Sequence, residues 1–231
     1  MSFMRQYFNS GRPQAILFDL DGTLVDSAPD IAVAMDNVLR SMDMPAAGET
    51  RVRDWVGNGA GKLVQRSLAF ANQQHENEVD ASLVDSALAL FLLEYRLTNG
   101  LYSVLYPGVV DALIAWRDLE IPMAIVTNKP IEFVPSLLSG LNADHYFTAL
   151  VGGACTPEKK PSPQPLLYAC ELLDVVPEQC LMVGDSRNDV QAAQAASMPV
   201  VAVNYGYNHG ESIALSKPDA VVSSISSLLS I

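Results

Sequence analysis

The chain has 231 residues, 49% of them apolar, and a formal net charge of −12, with no uninterrupted apolar run long enough to cross a bilayer. No lysine or arginine run is present to neutralise a phosphate backbone, so the composition speaks against nucleic-acid and membrane partners and leaves small anions, provided a cation and a few basic side chains offset the negative field. The length accommodates one full-sized core carrying a smaller insertion, and three cysteines without metal-type spacing, Cys155, Cys170 and Cys180, fit a reduced, cytoplasmic compartment.

Residues 1–13 lack the apolar stretch and small-residue cleavage site of a secretory signal and are read as a poorly ordered leader. Ala15 to Phe18 is a continuous apolar run, the pattern of a parallel strand buried on both faces, and it ends in Asp19-Leu20-Asp21-Gly22-Thr23. Gly22 permits a tight turn there, so that two carboxylates two residues apart can address one small site. Ser27 then stands where a helix N-cap would be, with Pro29 in the first turn and Ile31, Met35, Val38 and Leu39 on one face. The stretch Trp55-Val56-Gly57-Asn58-Gly59-Ala60-Gly61 leads into a helix from about 62 to 71, and a third helix runs from about 79 to 97, closed by Asn99-Gly100. Residues 28–100 therefore read as an all-helical block inserted between two strands.

From Tyr106-Pro107-Gly108 the pattern changes to strict alternation. Helix 109–119 precedes strand 123–127, helix 131–138 precedes strand 149–151, and helix 165–173 precedes strand 181–183. Helix 189–196, strand 200–203, a short helix near Ser212 and strand 220–222 follow. Such alternation predicts a parallel, doubly wound α/β sheet of Rossmann-like type, with 14–27 and 101–231 forming the core and 28–100 a helical cap. Each strand that matters ends in a polar signature: Asp19 and Asp21, then Thr127-Asn128-Lys129, then Gly184-Asp185-Ser186 followed by Asp189. Lys159-Lys160-Pro161 precedes the helix before the third of these. If the first strand is central, all four signatures meet beyond the carboxyl ends of the strands, where such sheets bind ligands.

The four signatures, in this order, resemble the motifs of the haloacid dehalogenase superfamily, a phosphatase-rich group with an aspartate nucleophile. The segments Trp55-Val56-Gly57-Asn58-Gly59-Ala60 and Tyr205-Gly206-Tyr207-Asn208 are similar to segments of its phosphoglycolate phosphatases. The resemblance implies a Mg²⁺-dependent phosphomonoesterase with an aspartyl-phosphate intermediate, acting on 2-phosphoglycolate. In this reading Asp19 is the nucleophile and Asp21 the general acid and base. Thr127, Asn128 and Lys160 hold the phosphoryl oxygens; Asp19, the backbone carbonyl of Asp21 and Asp185 bind the metal; and Asp189 orients Lys160 or a metal-bound water. Asn58 and Gly59 are candidate substrate contacts from the cap, at a helix start that attracts anions. Dehalogenases lack an acid at the position of Asp21, because a halide leaves without a proton, so the second aspartate favours phosphoryl chemistry.

Plainer readings exist for each residue taken singly. Asp19 and Asp21 could form a solvated acidic turn, Asp185 and Asp189 could cap a helix, Thr127 could simply end a strand, and Asn58 and Gly59 could merely start a helix. Lys160 is preferred over Lys159 because of the proline spacing, whereas Lys129 and Lys159 are read as solvated, Lys62 and Arg66 as a charged face meeting water, and the three histidines as without a role. Other small phosphate esters, including sugar phosphates, nucleotides and pyrophosphate, a β-phosphoglucomutase-like transfer and a non-catalytic phosphate- or protein-binding regulator are the alternative functions. Oligomeric state is left open.

Overall fold

A computed structural model describes residues 3–8 and 10–229. In chain order it contains α1 (Phe3–Tyr7), β1 (Ala15–Phe18), β2 (Val25–Asp26), α2 (Ala28–Ser41), α3 (Glu49–Trp55), α4 (Ala60–Ala71) and α5 (Ala81–Thr98). There follow β3 (Val104–Leu105), α6 (Val109–Asp118), β4 (Met123–Pro130), α7 (Val134–Gly140), β5 (Ala149–Gly153), α8 (Gln164–Leu173), β6 (Cys180–Gly184), α9 (Arg187–Ala195), β7 (Val200–Val203) and β8 (Ala220–Val222). Among the described residues no helix is long and apolar enough to cross a membrane.

The main sheet has six strands in the order β5-β4-β1-β6-β7-β8, and every pairing is parallel. The chain leaves β1 to build one side of the sheet, then crosses to β6 and builds the other, so β1 ends at the point where strand order reverses. Its four residues are completely buried and alternate between faces. Ile16 and Phe18 join the cluster containing Leu113, Trp116 and Val183, while Ala15 and Leu17 join the cluster containing Val126, Leu166 and Val190 on the opposite side. Two covered faces explain why β1 is apolar throughout rather than alternating.

A third cluster is built almost wholly from α2–α5, with Met35, Leu39, Val64, Leu68 and Phe91 at its centre; Phe133 and Tyr207 reach it from outside the helices. Two short antiparallel strands, β2 and β3, lie on the two passages joining this helical block to the sheet. Strands of two residues carry too little pattern to be seen in sequence. Helix α3 lies within the expected helical block but in a stretch given no element of its own, since only Val52 of its seven residues is buried. The first part of the leader is ordered, contrary to expectation: α1 brings Met4 and Phe8 against the first cluster, Phe8 being 1% exposed. The leader's Met1, Ser2 and Asn9 lie outside the described residues. The helix expected over 131–138 divides into a 3₁₀ turn at Ile131–Phe133 and α7.

Asp30, in the first turn of α2, ties the returning passage to the block. Its fully buried carboxylate accepts hydrogen bonds from the backbone N–H groups of Gly100 (2.8 Å), Tyr102 (2.7 Å) and Ser103 (3.1 Å), and from the Ser103 hydroxyl. Replacing Asp30 by alanine orphans several buried donors at once, so Asp30→Ala should destabilise the protein by about 3 kcal/mol or more in urea unfolding. A loss below about 1 kcal/mol would show that water replaces the carboxylate at little cost.

Candidate active site

The carboxyl ends of β1, β4 and β6 place Asp19, Asp21, Thr127, Asn128, Asp185 and Asp189 around one point, and the loop before α8 brings Lys160 to the same place. All seven are buried, at 9% exposure or less. The glycines Gly22 and Gly206 leave the room this requires. A Cβ at Gly22 would stand 2.4 Å from Asp185 Oδ2, and one at Gly206 would stand 2.4 Å from the Gly22 carbonyl oxygen; Gly22 also has φ +90°.

Each carboxylate has different partners. Asp19 Oδ1 lies 3.0 Å from Lys160 Nζ, yet Lys160 directs its hydrogen bonds to Asp189 Oδ1 and the Val126 carbonyl, both at 2.6 Å. Asp19 Oδ1 thus meets Lys160 as an ion pair and receives no well-aligned hydrogen bond from the described residues. Asp189 is fully engaged: its Oδ2 accepts from the Ser186 backbone N–H at 3.0 Å and the Ser186 hydroxyl at 2.7 Å. Asp185 accepts from the Thr23 hydroxyl (2.7 Å) on Oδ1 and from the Tyr207 backbone N–H (2.6 Å) on Oδ2. Asp21 Oδ1 accepts from the Ser27 hydroxyl at 2.6 Å and from Lys129 Nζ at 2.9 Å.

Burial dominates the electrostatics. It raises the Asp19 carboxyl from its ordinary 3.8 to about 7, the nearby Lys160 charge opposing and the Asp189 and Asp21 charges assisting. Burial, then Asp19 and Asp189, push Asp185 well above the usual carboxylate range. Lys160 would be lowered by burial, but Asp189 and Asp19 outweigh that and hold it at about 12. Ligand oxygens of Asp19, Asp185 and Asp189 lie within 4.8 Å of one another. Crowded carboxylates, hard donors throughout and one oxygen without a well-aligned hydrogen bond suit a hard divalent cation, whose charge would return the carboxyls to their ionised range. Asp189 already accepts three hydrogen bonds, one of them from the Lys160 ammonium, whereas Asp185 accepts one neutral donor on each oxygen and meets no cation, so Asp19 and Asp185 are the members best able to ligate.

Several expectations need correction. Lys129, read as solvated, is 5% exposed and bridges Asp21 to the Tyr95 hydroxyl, 2.5 Å away. Asn128 spends its side-chain amide on the backbone of Lys160, accepting at 3.0 Å and donating at 2.9 Å, and on the Gly57 carbonyl at 3.0 Å, so any contact with a phosphate falls to its main chain. Gly59 lines the cavity over Asp19 and Asp21, but Asn58 does not: its Oδ1 accepts from Arg66, which also binds the Trp55 carbonyl. Arg66 and Lys62 in turn pair with Glu76 rather than meeting only water. Ser27 does not cap α2 with its side chain, having given its hydroxyl to Asp21; the phenol oxygen of Tyr207 accepts from the N–H groups of Ser27 and Ala28 instead. Lys159 is exposed and Lys160 buried, in line with the preference for the latter. Cys170 and Cys180 lie with their sulfurs 3.7 Å apart in the core, a proximity their spacing did not signal.

The sequence profile of the haloacid dehalogenase-like hydrolases matches residues 13–197. The chain belongs to that family. Within this hydrolase family it is 45% identical over 229 residues to a phosphoglycolate phosphatase of Pseudomonas putida strain KT2440, covering 99% of this chain and 83% of the relative. It is 43% identical to a phosphoglycolate phosphatase of Escherichia coli K12, covering 94% of this chain and 91% of the relative. A solved hydrolase structure, a predicted phosphoglycolate phosphatase from Haemophilus somnus 129PT, superimposes with a TM-score of 0.88 at 39% identity, covering 94% of this chain and 96% of that one.

The raised Asp19 carboxyl has a thermodynamic consequence. Between about pH 4 and pH 7 the folded chain holds a proton on Asp19 that the unfolded chain has released, so the stabilisation is present at low pH and is lost as pH rises through about 7. With chelator present, wild-type stability minus that of Asp19→Asn should therefore fall across this range, as read by urea unfolding at a series of pH values. A difference that stays constant would show that Asp19 titrates alike in both states.

Proposed function

We propose that the protein is a magnesium-dependent phosphomonoesterase that hydrolyses 2-phosphoglycolate to glycolate and inorganic phosphate. The observation that carries this reading is the unequal treatment of two carboxylates at one strand end. Asp19 has only the Lys160 ion pair and no well-aligned hydrogen bond, which leaves it the freer to attack, while Asp21 is steered by Ser27 and Lys129. The substrate is taken from the relatives, which carry that name at 43–45% identity over nearly the whole chain.

Phosphate monoesters hydrolyse so slowly that accelerations can approach ~10²¹-fold, and positioning and charge neutralisation must supply most of it. In the first step an Asp19 oxygen attacks phosphorus in line, the bond to the bridging oxygen breaks, and Asp21 gives that oxygen a proton, releasing glycolate. In the second step Asp21 takes a proton from water as the water oxygen attacks phosphorus; the aspartyl–phosphorus bond breaks and phosphate leaves. Throughout, the Thr127 hydroxyl, the main-chain N–H of Asn128 and the Lys160 ammonium hold the phosphoryl oxygens, and Asp189 keeps Lys160 charged and aimed. Asp19, Asp185 and the main-chain carbonyl of Asp21 would hold a magnesium ion, which would supply the positive charge that lets an anionic nucleophile approach an anionic phosphate.

In this reading residues 28–100 are a cap over a core formed by 14–27 and 101–231. Docking of the cap is supported by the Gly57 carbonyl, which accepts hydrogen bonds from Asn128 and Asn188 of the core. A closed cap excludes water from the aspartyl phosphate until glycolate has gone. The three free cysteines are compatible with a cytoplasmic setting.

Phosphate release from phosphoglycolate, sugar phosphates, nucleotides and pyrophosphate, each with magnesium and with chelator, tests the reading. Phosphoglycolate should give the highest kcat/KM, and chelation should abolish turnover until magnesium is restored. Asp19→Asn should lower kcat by about 10⁴-fold or more with an unchanged circular dichroism spectrum. Substantial turnover by that variant would overturn the nucleophile, and activity surviving thorough chelation would overturn the metal.

A further inference from the structure

One buried charge in the cavity, Lys129, steers Asp21 in the mechanism but is given no contact with the substrate. The space over Asp19 and Asp21 is a partly open cavity walled mainly by Ile31, Val56, Leu63, Phe91 and Tyr95. Lys129 is the one basic residue among the described residues lining it. Its side chain is only 2% exposed, a costly position for an ammonium unless it has anions to meet. Burial works against its charge, but Asp21 and Tyr95 more than compensate, so the amine is held protonated.

We infer that Lys129 anchors a carboxylate on the leaving part of the substrate, and thereby selects phosphate esters whose alcohol carries an acid group close to the bridging oxygen. The inference rests on the phosphatase reading. With phosphorus in line with Asp19, and Lys160 aimed at the phosphoryl oxygens from its bonds to Asp189 and the Val126 carbonyl, the bridging oxygen faces Asp21. Lys129 Nζ is hydrogen-bonded to that same Asp21 at 2.9 Å. A carboxylate one methylene from the bridging oxygen therefore arrives beside the Lys129 ammonium. An ammonium has three N–H donors, and Asp21 and Tyr95 occupy two. Apart from Thr127, Asn128 and the main chain of Gly57 and Gly59, the wall beyond the aspartates and Lys129 is Ile31, Val56, Ala60, Leu63, Phe91 and Tyr95, against which an acid group would lose its hydration without replacement.

The anchor is assembled from both parts of the molecule. Lys129 belongs to β4 of the sheet and Tyr95 to α5 of the helical block. Tyr95 is fixed in turn by stacking on Phe91, 5.4 Å between ring centroids, and by an edge contact with Phe133 at 4.9 Å. Lys129 is thus held in one place and faces the carboxylate only when the block is docked. The same contacts leave its amine no freedom to follow a longer alcohol.

The test compares phosphoglycolate with ethyl phosphate, in which a methyl group replaces the carboxylate, using the full-length protein with magnesium. Wild type should prefer phosphoglycolate, and Lys129→Met should cut the ratio of the two kcat/KM values by about 10- to 100-fold, chiefly through KM for phosphoglycolate, with Lys129→Arg restoring part of it. A ratio unchanged in Lys129→Met, whatever the absolute rates, would mean that Lys129 only positions Asp21 and would overturn the inference. Should the variant fail to fold, wild type alone decides: glycolate should inhibit ethyl phosphate hydrolysis far more strongly than ethylene glycol, and equal inhibition overturns the anchor. Wild type that hydrolyses both esters equally well also overturns it while leaving the phosphatase standing. No phosphate release from either ester overturns both.

Discussion

Asp19, Asp21, Asp185 and Asp189 are carried by one dry site at the end of a parallel sheet, and their mutual repulsion sets the terms for everything around them. Lys160 answers Asp19 and Asp189, Lys129 answers Asp21, and Asp185 is left to a hydroxyl and a backbone N–H. Two ammonium groups against four carboxylates leave the site short of positive charge. Burial first, and this repulsion second, raise the Asp19 and Asp185 carboxyls, and a hard divalent cation would offset both. The hydrophobic packing of β1 is subordinate to this. Its four buried residues hold the first two aspartates rigidly, so the site can carry strain that a flexible loop would relax.

Much of this was readable in the sequence, because chemistry at strand ends leaves strong local marks. Apolar runs of four or five residues ending in Asp, Thr-Asn or Gly-Asp located β1, β4 and β6, and the proline spacing singled out Lys160. What escaped had no local mark. Lys129 follows Thr127-Asn128 as any surface lysine would, and only the partners that reach it from residues 21 and 95 reveal its burial. Asp30 looks like an ordinary first-turn acid of α2, yet it binds a passage some seventy residues onward. Asn58 erred in the other direction: its place in a glycine-rich turn suggested substrate, whereas Arg66, two turns along α4, claims its side chain. In each case the missing information was tertiary, carried by a residue distant in sequence.

The helical block and the sheet are held together by polar contacts, Gly57 with Asn128 and Asn188, Tyr95 with Lys129, Arg53 with Asp26 and Arg96 with Glu132, and by Phe133 and Tyr207, which enter the block's apolar cluster. Their number is small beside the apolar clusters that keep each part intact. Such an arrangement favours movement of one rigid part against the other over deformation of either, with β2 and β3 as the passages that must accommodate it.

Tyr207 gives the site a history as well as a shape. Its backbone N–H serves Asp185, and its hydroxyl serves the start of α2, 180 residues earlier in the chain. It also lies beyond residue 197, where the match to the family profile stops. During synthesis the first two aspartates and Thr23 emerge early, but Tyr207, the other partner of Asp185 and the acceptor at the start of α2, follows only after the first 206 of 231 residues have been made. The acidic centre is therefore closed late, and the nascent chain spends most of its synthesis with the pieces of its site still apart.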